Sequence, residues 1–349
     1  MLQDAMSDAS AAGDGPEGSG ERRGATHPGD PGSSGTTRSA GTPDSSGTMR
    51  WSSVTVDGHR VRYAMVGSGP VALFMHGWGL RPNAYRGPVE AMASAGCRVY
   101  APCLPGFGGT RELDPEQRTF AGYARWVGHF LDAVDERQVA LVAGHSFGGG
   151  VATAFVYAQP GRASALLLVN AIGSPTWALF PNEVRTTMQR PVWDWGRHFG
   201  TDLLHSPHVV RVLPTLLEDF IPNLLGNPLG MFRTGEFIRR ADLVREVRAV
   251  AERGIPVNVA WSDRDRLVSR SAFDELRHAA GVEGVVIEGA HAWLIADPSI
   301  FRELVISSLV DSGVLTPRLA GGATPRLAGG AAPRLAGGAP MPSPAAGGT

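Results

Sequence analysis

The stretch Val139-Ala-Leu-Val-Ala-Gly-His-Ser-Phe-Gly-Gly-Gly150 places Ser146 between two glycines, after an apolar run and before the apolar, alanine-rich stretch from Val151 to Ala158. A short strand that enters a tight turn ahead of a helix has this pattern. Gly144 and Gly148 relieve side-chain collisions in the turn, and the serine hydroxyl is left exposed above a sheet. The bare pattern G-x-S-x-G is common by chance, so the strand before it and the helix-like stretch after it are what make Ser146 a candidate nucleophile.

Working outward from this turn, apolar runs recur at Val71 to Met75, Cys97 to Ala101, Val139 to Ala143, Ala165 to Val169, Ile255 to Trp261 and Val285 to Ile287. Most are separated by helix-length segments. Strand and helix alternating in this way predict an α/β chain with a largely parallel sheet covered on both faces. Ahead of these runs, Ser52 to Val56 and His59 to Val66 alternate apolar and polar residues around Asp57-Gly58, which predicts an antiparallel hairpin. A helix is predicted from about Phe120 to Val134, where Phe120, Tyr123, Val127, Phe130, Leu131 and Val134 recur at three-to-four spacing and read as core.

The two ends differ from this pattern. Residues 1–48 are dominated by Gly, Ser, Asp, Pro and Thr with few large apolar side chains, so they are expected to be disordered. They show no basic region followed by an apolar one, so no signal peptide is expected, and Met49 is an alternative translation start. Residues 314–349 hold a Pro-Arg-Leu-Ala-Gly-Gly repeat with a period of eight. That is short for stacked helices and rich in breakers, as in a flexible tail. One large domain, 49–313, remains.

Composition narrows the chemistry. The formal net charge is −1 with no basic cluster, so no nucleic-acid partner is expected, and no run of 18 apolar residues suggests a membrane span. The chain contains no lysine, all 32 basic residues being arginine. Schiff-base, pyridoxal-phosphate, P-loop and Ser-Lys chemistries are therefore excluded. Cys97 and Cys103 show no metal-ligand pattern and read as free thiols in a reducing, cytoplasmic setting. No metal site and no cofactor is expected.

Four further segments extend the pattern. His76-Gly-Trp-Gly79 follows the Val71 run, and Ala101-Pro-Cys-Leu-Pro-Gly-Phe-Gly-Gly109 follows the next one. Val257-Asn-Val-Ala-Trp-Ser-Asp-Arg-Asp265 and Glu288-Gly-Ala-His-Ala-Trp293 come later. In this order, together with the serine turn, they resemble the α/β-hydrolase superfamily over nearly all of residues 51–311. Cys103 and Ser262 stand where that family commonly has aspartate and glycine. The resemblance implies the α/β-hydrolase fold, a mostly parallel eight-stranded sheet with an antiparallel N-terminal hairpin and helices on both faces. It also implies that the long stretch of about 173–250 is a helical cap over the site, with Trp177, Phe180, Trp193, Trp195, Phe199, Phe220, Met231 and Phe232 as candidate pocket or packing residues.

A serine hydroxyl needs a base to take its proton as it attacks, and a histidine with an ordinary pKa near ~6.5 suits that role. His291 is the candidate base, because it lies in a glycine-containing loop just after the last strand. His145 sits inside the turn, where neighbouring residues point in different directions, and His76 reads as shaping its own loop. A buried carboxylate must hold the base in one tautomer. Family spacing from Trp261 favours Asp265 over Asp263. The resemblance also implies an oxyanion hole made of the backbone N–H groups of Trp78 and Phe147. The expected activity is hydrolysis of an ester, or a related acyl bond, of a small apolar substrate through an acyl-enzyme on Ser146. Carbon-carbon bond hydrolysis, thioester or lactone hydrolysis and perhydrolysis use the same triad, and a non-catalytic binding protein of the same fold is the alternative from another class. Epoxide or haloalkane hydrolysis would require aspartate at position 146.

Overall fold

The architecture comes from a computed structural model, which describes residues 47–180, 183–186 and 209–316. The N-terminal segment up to residue 46 and the repeat tail from residue 317 lie outside the described residues, as do Trp193, Trp195 and Phe199. In chain order the elements are β1 (Arg50–Val56), β2 (His59–Val66), β3 (Val71–Met75), α1 (Arg86–Ser94), β4 (Arg98–Pro102), α2 (Phe120–Ala133), β5 (Leu141–His145), α3 (Phe147–Ala158) and β6 (Leu166–Val169). There follow β7 (Thr176–Phe180), β8 (Glu183–Thr186), α4 (Val209–Gly226), α5 (Pro228–Ile238), α6 (Val244–Glu252), β9 (Val257–Ser262), α7 (Arg270–Ala280), β10 (Val285–Ile287), α8 (Trp293–Ala296) and α9 (Pro298–Asp311).

Asp57 and Gly58 both take positive φ, 50° and 77°, the geometry that lets a two-residue turn follow the strand twist. β1 and β2 accordingly pair antiparallel, with Val56 opposite His59. The sheet order is β1-β2-β4-β3-β5-β6-β9-β10, antiparallel across the first two contacts and parallel from β4 onward. Every residue of β5 and of β6 is buried, which is why these strands read as unbroken apolar runs. Their side chains alternate between two cores. Leu73, Met75, Val142, Leu166 and Leu168 face one layer, which includes α2, α3, α6 and α7. Ala72, Phe74, Leu141, Leu167 and Val169 face the other, which includes α1 and α9.

Some boundaries differ from the sequence reading. β5 starts at Leu141, because Val139 makes only an isolated bridge with Ala163. α2 ends at Ala133, and Val134 is its C-cap. The 173–250 stretch is not purely helical, since it opens with the antiparallel hairpin β7-β8. Its last part, α6, packs on α3 and α7 with Val247 and Val250 fully buried, so it covers the sheet rather than the cavity. Among the described residues, no helix is long and apolar enough to cross a membrane.

Candidate active site

Ser146 has φ 55° and ψ −120°, a strained conformation for a residue with a side chain, costing of order 1–3 kcal/mol. The neighbouring glycines make this turn possible. A Cβ on Gly144 would lie 2.3 Å from the Gly148 carbonyl oxygen, and one on Gly148 would lie 2.1 Å from that of Met75. The elbow is thus wedged between β3 and the start of α3, and the chain leaves Ser146 directly into the helix. Phe147 is the first helical residue. Its ring is buried in the core, while its N–H belongs to the first turn, where helix donors have no intrahelical acceptor.

Asp265 follows β9 and His291 follows β10, on adjacent parallel strands at the carboxyl edge of the sheet. His291 Nδ1 lies 2.8 Å from Asp265 Oδ2, and both side chains are nearly inaccessible. The same carboxylate accepts three more hydrogen bonds. Leu267 N–H at 2.7 Å and Val268 N–H at 2.9 Å donate to Oδ1, and the Asn170 amide donates to Oδ2 at 2.5 Å. Burial alone would raise the Asp265 pKa, but the His291 charge and these donors outweigh it and hold the carboxyl below its ordinary value. An ionised Asp265 only accepts, so Nδ1 of His291 carries the proton in that bond. In the neutral ring, Nε2 then keeps its lone pair.

Asn170 escaped the sequence reading. It directly follows β6 with φ 44°, a left-handed conformation that asparagine tolerates. Its two amide hydrogens go to Asp265 and to Ser262 Oγ at 2.7 Å, and its oxygen accepts from Trp293 Nε1 at 2.8 Å. The available signal was a polar residue placed directly after the apolar Leu166–Val169 run. Ser262, which stands in place of the family's glycine, donates to the Ala290 carbonyl at 3.1 Å and so ties β9 to the loop carrying His291. Asp263 is half exposed and accepts from Gly289 N–H at 3.0 Å, away from the imidazole.

Two other histidines lie beneath this site. His145 Nε2 is 3.0 Å from the His291 carbonyl oxygen and Nδ1 is 2.8 Å from the Tyr85 hydroxyl. A carbonyl can only accept, so Nε2 carries the proton and Tyr85 donates to Nδ1. Tyr85 in turn accepts from Gly77 N–H at 3.1 Å. One relay therefore joins the His76–Gly79 loop to the His291 loop through the elbow. Burial, with repulsion from His291, lowers the His145 pKa to about 3. His76 donates from Nδ1 to the Gly77 carbonyl at 2.9 Å and accepts from Leu104 N–H at 3.0 Å. Burial lowers its pKa to about 4, so it is a neutral strut. Cys103 is buried against Gly108 with its thiol pushed up to about 12, which leaves no thiolate to act as a nucleophile.

Ser146, His291, His145, Gly77 and Trp78 line an open cleft. Its remaining walls are mostly apolar, including Leu216, Phe220, Ile238, Val268 and Ile295. The Trp78 ring nitrogen donates to the Met231 carbonyl at 3.1 Å and its ring meets Phe220 edge-on, so this residue joins the loop to the cap. Two residues of α4 do the same. Asp219, fully buried, accepts from Arg81 Nε, Arg81 N–H and Ala84 N–H, and Asn223 bridges Gly108 N–H and the Gly79 carbonyl. Among the described residues, no group of three or more His, Cys, Asp or Glu is placed to hold a metal ion.

A mixed sheet with a strained serine turn at its carboxyl edge, opposite a buried Asp-His pair and under a cap, defines a class of proteins rather than one activity. The family comparison agrees: residues 72–304 match the alpha/beta hydrolase family, and the chain belongs to it. An uncharacterized protein of Mycobacterium tuberculosis is 30% identical over 280 residues, covering 72% of this chain and 78% of that one. A protein of Mycobacterium phage D29, named provisionally as a non-heme haloperoxidase, is 26% identical over 264 residues, covering 74% of this chain and 94% of its own. The crystal structure of the enol-lactonase from Burkholderia xenovorans LB400 shares the fold, with a TM-score of 0.59 at 21% identity, over 74% of this chain and all of that one.

Proposed function

We propose that the chain is a serine hydrolase of carboxylic esters, working through an acyl-enzyme on Ser146. The observation that carries this reading is the buried contact of His291 Nδ1 with Asp265, from which the placement of the imidazole proton follows. Leu267, Val268 and Asn170 donate to an ionised Asp265, so the remaining contact places the proton on His291 Nδ1, and Nε2 is the basic nitrogen of a residue that shares the cleft with Ser146. In the proposed reaction Ser146 Oγ attacks the carbonyl carbon as Nε2 takes its proton. The N–H groups of Trp78 and Phe147 meet the oxyanion, a contact that in related chemistry contributes ~2.7 to 4 kcal/mol per donor. The leaving group departs with the proton from His291, and water resolves the acyl-enzyme by the same steps.

The apolar cleft supports a small, largely apolar substrate. Residues 49–313 form the proposed catalytic unit, and the two buried free thiols support a cytoplasmic setting. The phage relative's name supports a second reading in which hydrogen peroxide replaces water on the acyl-enzyme and a peracid is released. A fluorophosphonate probe is expected to label the protein at Ser146, with no labelling of Ser146→Ala. p-Nitrophenyl esters from two to sixteen carbons should be hydrolysed with an optimum that reports pocket depth. Failure of the intact protein to take up probe and to hydrolyse any member of the series rejects the enzyme reading. Peracid formation from acetate and peroxide, assayed by halide oxidation, separates the two readings.

A further inference from the structure

One corner of the cleft differs from its apolar walls. Ser174 and Thr176 both line it, and behind them stands Glu275 of α7. Ser174 Oγ lies 2.5 Å from Glu275 Oε2, Thr176 Oγ1 lies 3.0 Å from the same oxygen, and the two hydroxyl oxygens are 2.7 Å apart. The Thr176 N–H also donates to Ser174 Oγ at 3.0 Å. Three contacts share only two hydroxyl protons. A carboxylate accepts and cannot donate, and a hydroxyl turned toward the cleft would leave two of these close oxygen pairs without a proton between them, so both protons are held within the cluster. The corner therefore offers the cleft lone pairs and no donor.

Its distance from the nucleophile is bounded by the chain. Ile172 N–H donates to the Ser146 carbonyl at 3.2 Å, and Ser174 is two residues further on. At no more than ~3.6 Å per residue, the Ser174 backbone lies within about 10 Å of the Ser146 carbonyl oxygen. An alkyl chain passing there would desolvate the acceptors without replacing their water, and a keto oxygen or carboxylate would meet them lone pair to lone pair. An ammonium ion would have to give up its hydration in a cleft whose walls are mostly apolar. A hydroxyl group satisfies the corner at the least cost.

We propose that the substrate is a hydroxylated ester, whose hydroxyl group donates to Ser174 or Thr176 at this corner of the cleft. This rests on the ester-hydrolase reading and adds the substrate class. The test uses p-nitrophenyl esters of six to nine carbons, each made with a hydroxyl, a keto group, an amine or only hydrogen at successive positions. In the native protein, the hydroxyl ester at the best position should exceed the plain ester in kcat/KM by roughly tenfold, the worth of one well-made hydrogen bond. The keto ester should fall below the plain one. That ratio should collapse towards one in Ser174→Ala/Thr176→Val and persist in Thr176→Ser, which retains the hydroxyl. A plain ester preferred at every position, an amine preferred over the hydroxyl, or a ratio unchanged in the double variant would each overturn the assignment. Calorimetry on Ser146→Ala with matched hydroxyalkyl and alkyl carboxamides reads the corner without chemistry. Tighter binding of the hydroxyalkyl amide alongside esters that are never cleaved sinks the hydrolase reading and leaves the corner standing, whereas equal binding sinks the corner.

Discussion

The cleft has two halves built on different physics. Its floor, on the sheet, is polar and internally bonded: Asp265, Asn170, Ser262, His145 and Tyr85 each make hydrogen bonds to groups fixed on neighbouring strands and loops. Its roof, on α4 and α5, is mainly apolar and is joined to the floor by a few polar contacts from Trp78, Asp219 and Asn223. The roof also keeps apolar surface in water. Of the seven exposed large hydrophobic residues described, only Tyr157 lies off these two helices. In the proposed reaction, geometry would thus belong to the floor, where donors and acceptors are directional, and selection among chains to the roof, where contacts are not.

The largest expected effect tests whether the floor is as directional as this. Asp265→Asn should lower kcat by about 10⁴, because an amide can donate to His291 and stabilise the wrong tautomer. Asp263→Asn, two residues away but half exposed, should change kcat by less than about threefold. Steady-state kinetics on both variants decides the matter, and the reverse pattern would reassign the acid.

Next come two glycines, one in each half. Gly148→Ala must push a methyl group to 2.1 Å from the Met75 carbonyl oxygen in a buried, wedged turn, and should cost more than about 3 kcal/mol or prevent folding. Gly226→Ala, at the end of α4 with nothing within 4 Å of the new Cβ, should stabilise by about 0.5 kcal/mol. Urea unfolding of both variants gives the contrast, and equal costs would erase it.

A third expectation concerns acid, again in the floor. His76 and His145 have folded pKa values of about 4 and about 3, below the ordinary ~6.5 of the unfolded chain. Between these limits the unfolded chain takes up protons that the folded one refuses. Stability is therefore complete above pH ~6.5 and falls as the pH drops, by up to ~1.4 kcal/mol per pH unit for each histidine. Urea midpoints between pH 7.5 and 5 should fall about half as steeply in His145→Gln as in the native protein.

Much of the floor was legible because its signals are local. Glycines at a collision, an apolar run buried on both faces and a histidine after a last strand all read directly from neighbouring residues. Asn170, Tyr85 and Ser262 were not legible, because their roles come from partners 28 to 123 residues away that only the folded sheet brings near. The roof was less legible. Apolar residues there do not distinguish a pocket wall from packing, and Phe232, a candidate pocket residue by composition, is exposed. The β7-β8 hairpin was hidden in a stretch read as helical, since no alternation marks Thr176–Phe180.

The smallest expected effect examines the joint between the halves. Asp219 is a roof residue whose carboxylate gathers Arg81 and two backbone N–H groups just beyond the Gly77–Gly79 turn, so it helps hold the roof on the loop that carries the proposed oxyanion donor. Asp219→Asn keeps an acceptor oxygen and loses the ion pair, for a stability loss of about 2 kcal/mol. If the roof only selects, KM for a long-chain ester should rise about threefold, and KM for the acetate, which needs little of the roof, should change less. A fall in kcat of a hundredfold or more on both esters would mean that the roof helps set the oxyanion donors, and that floor and roof are one catalytic unit.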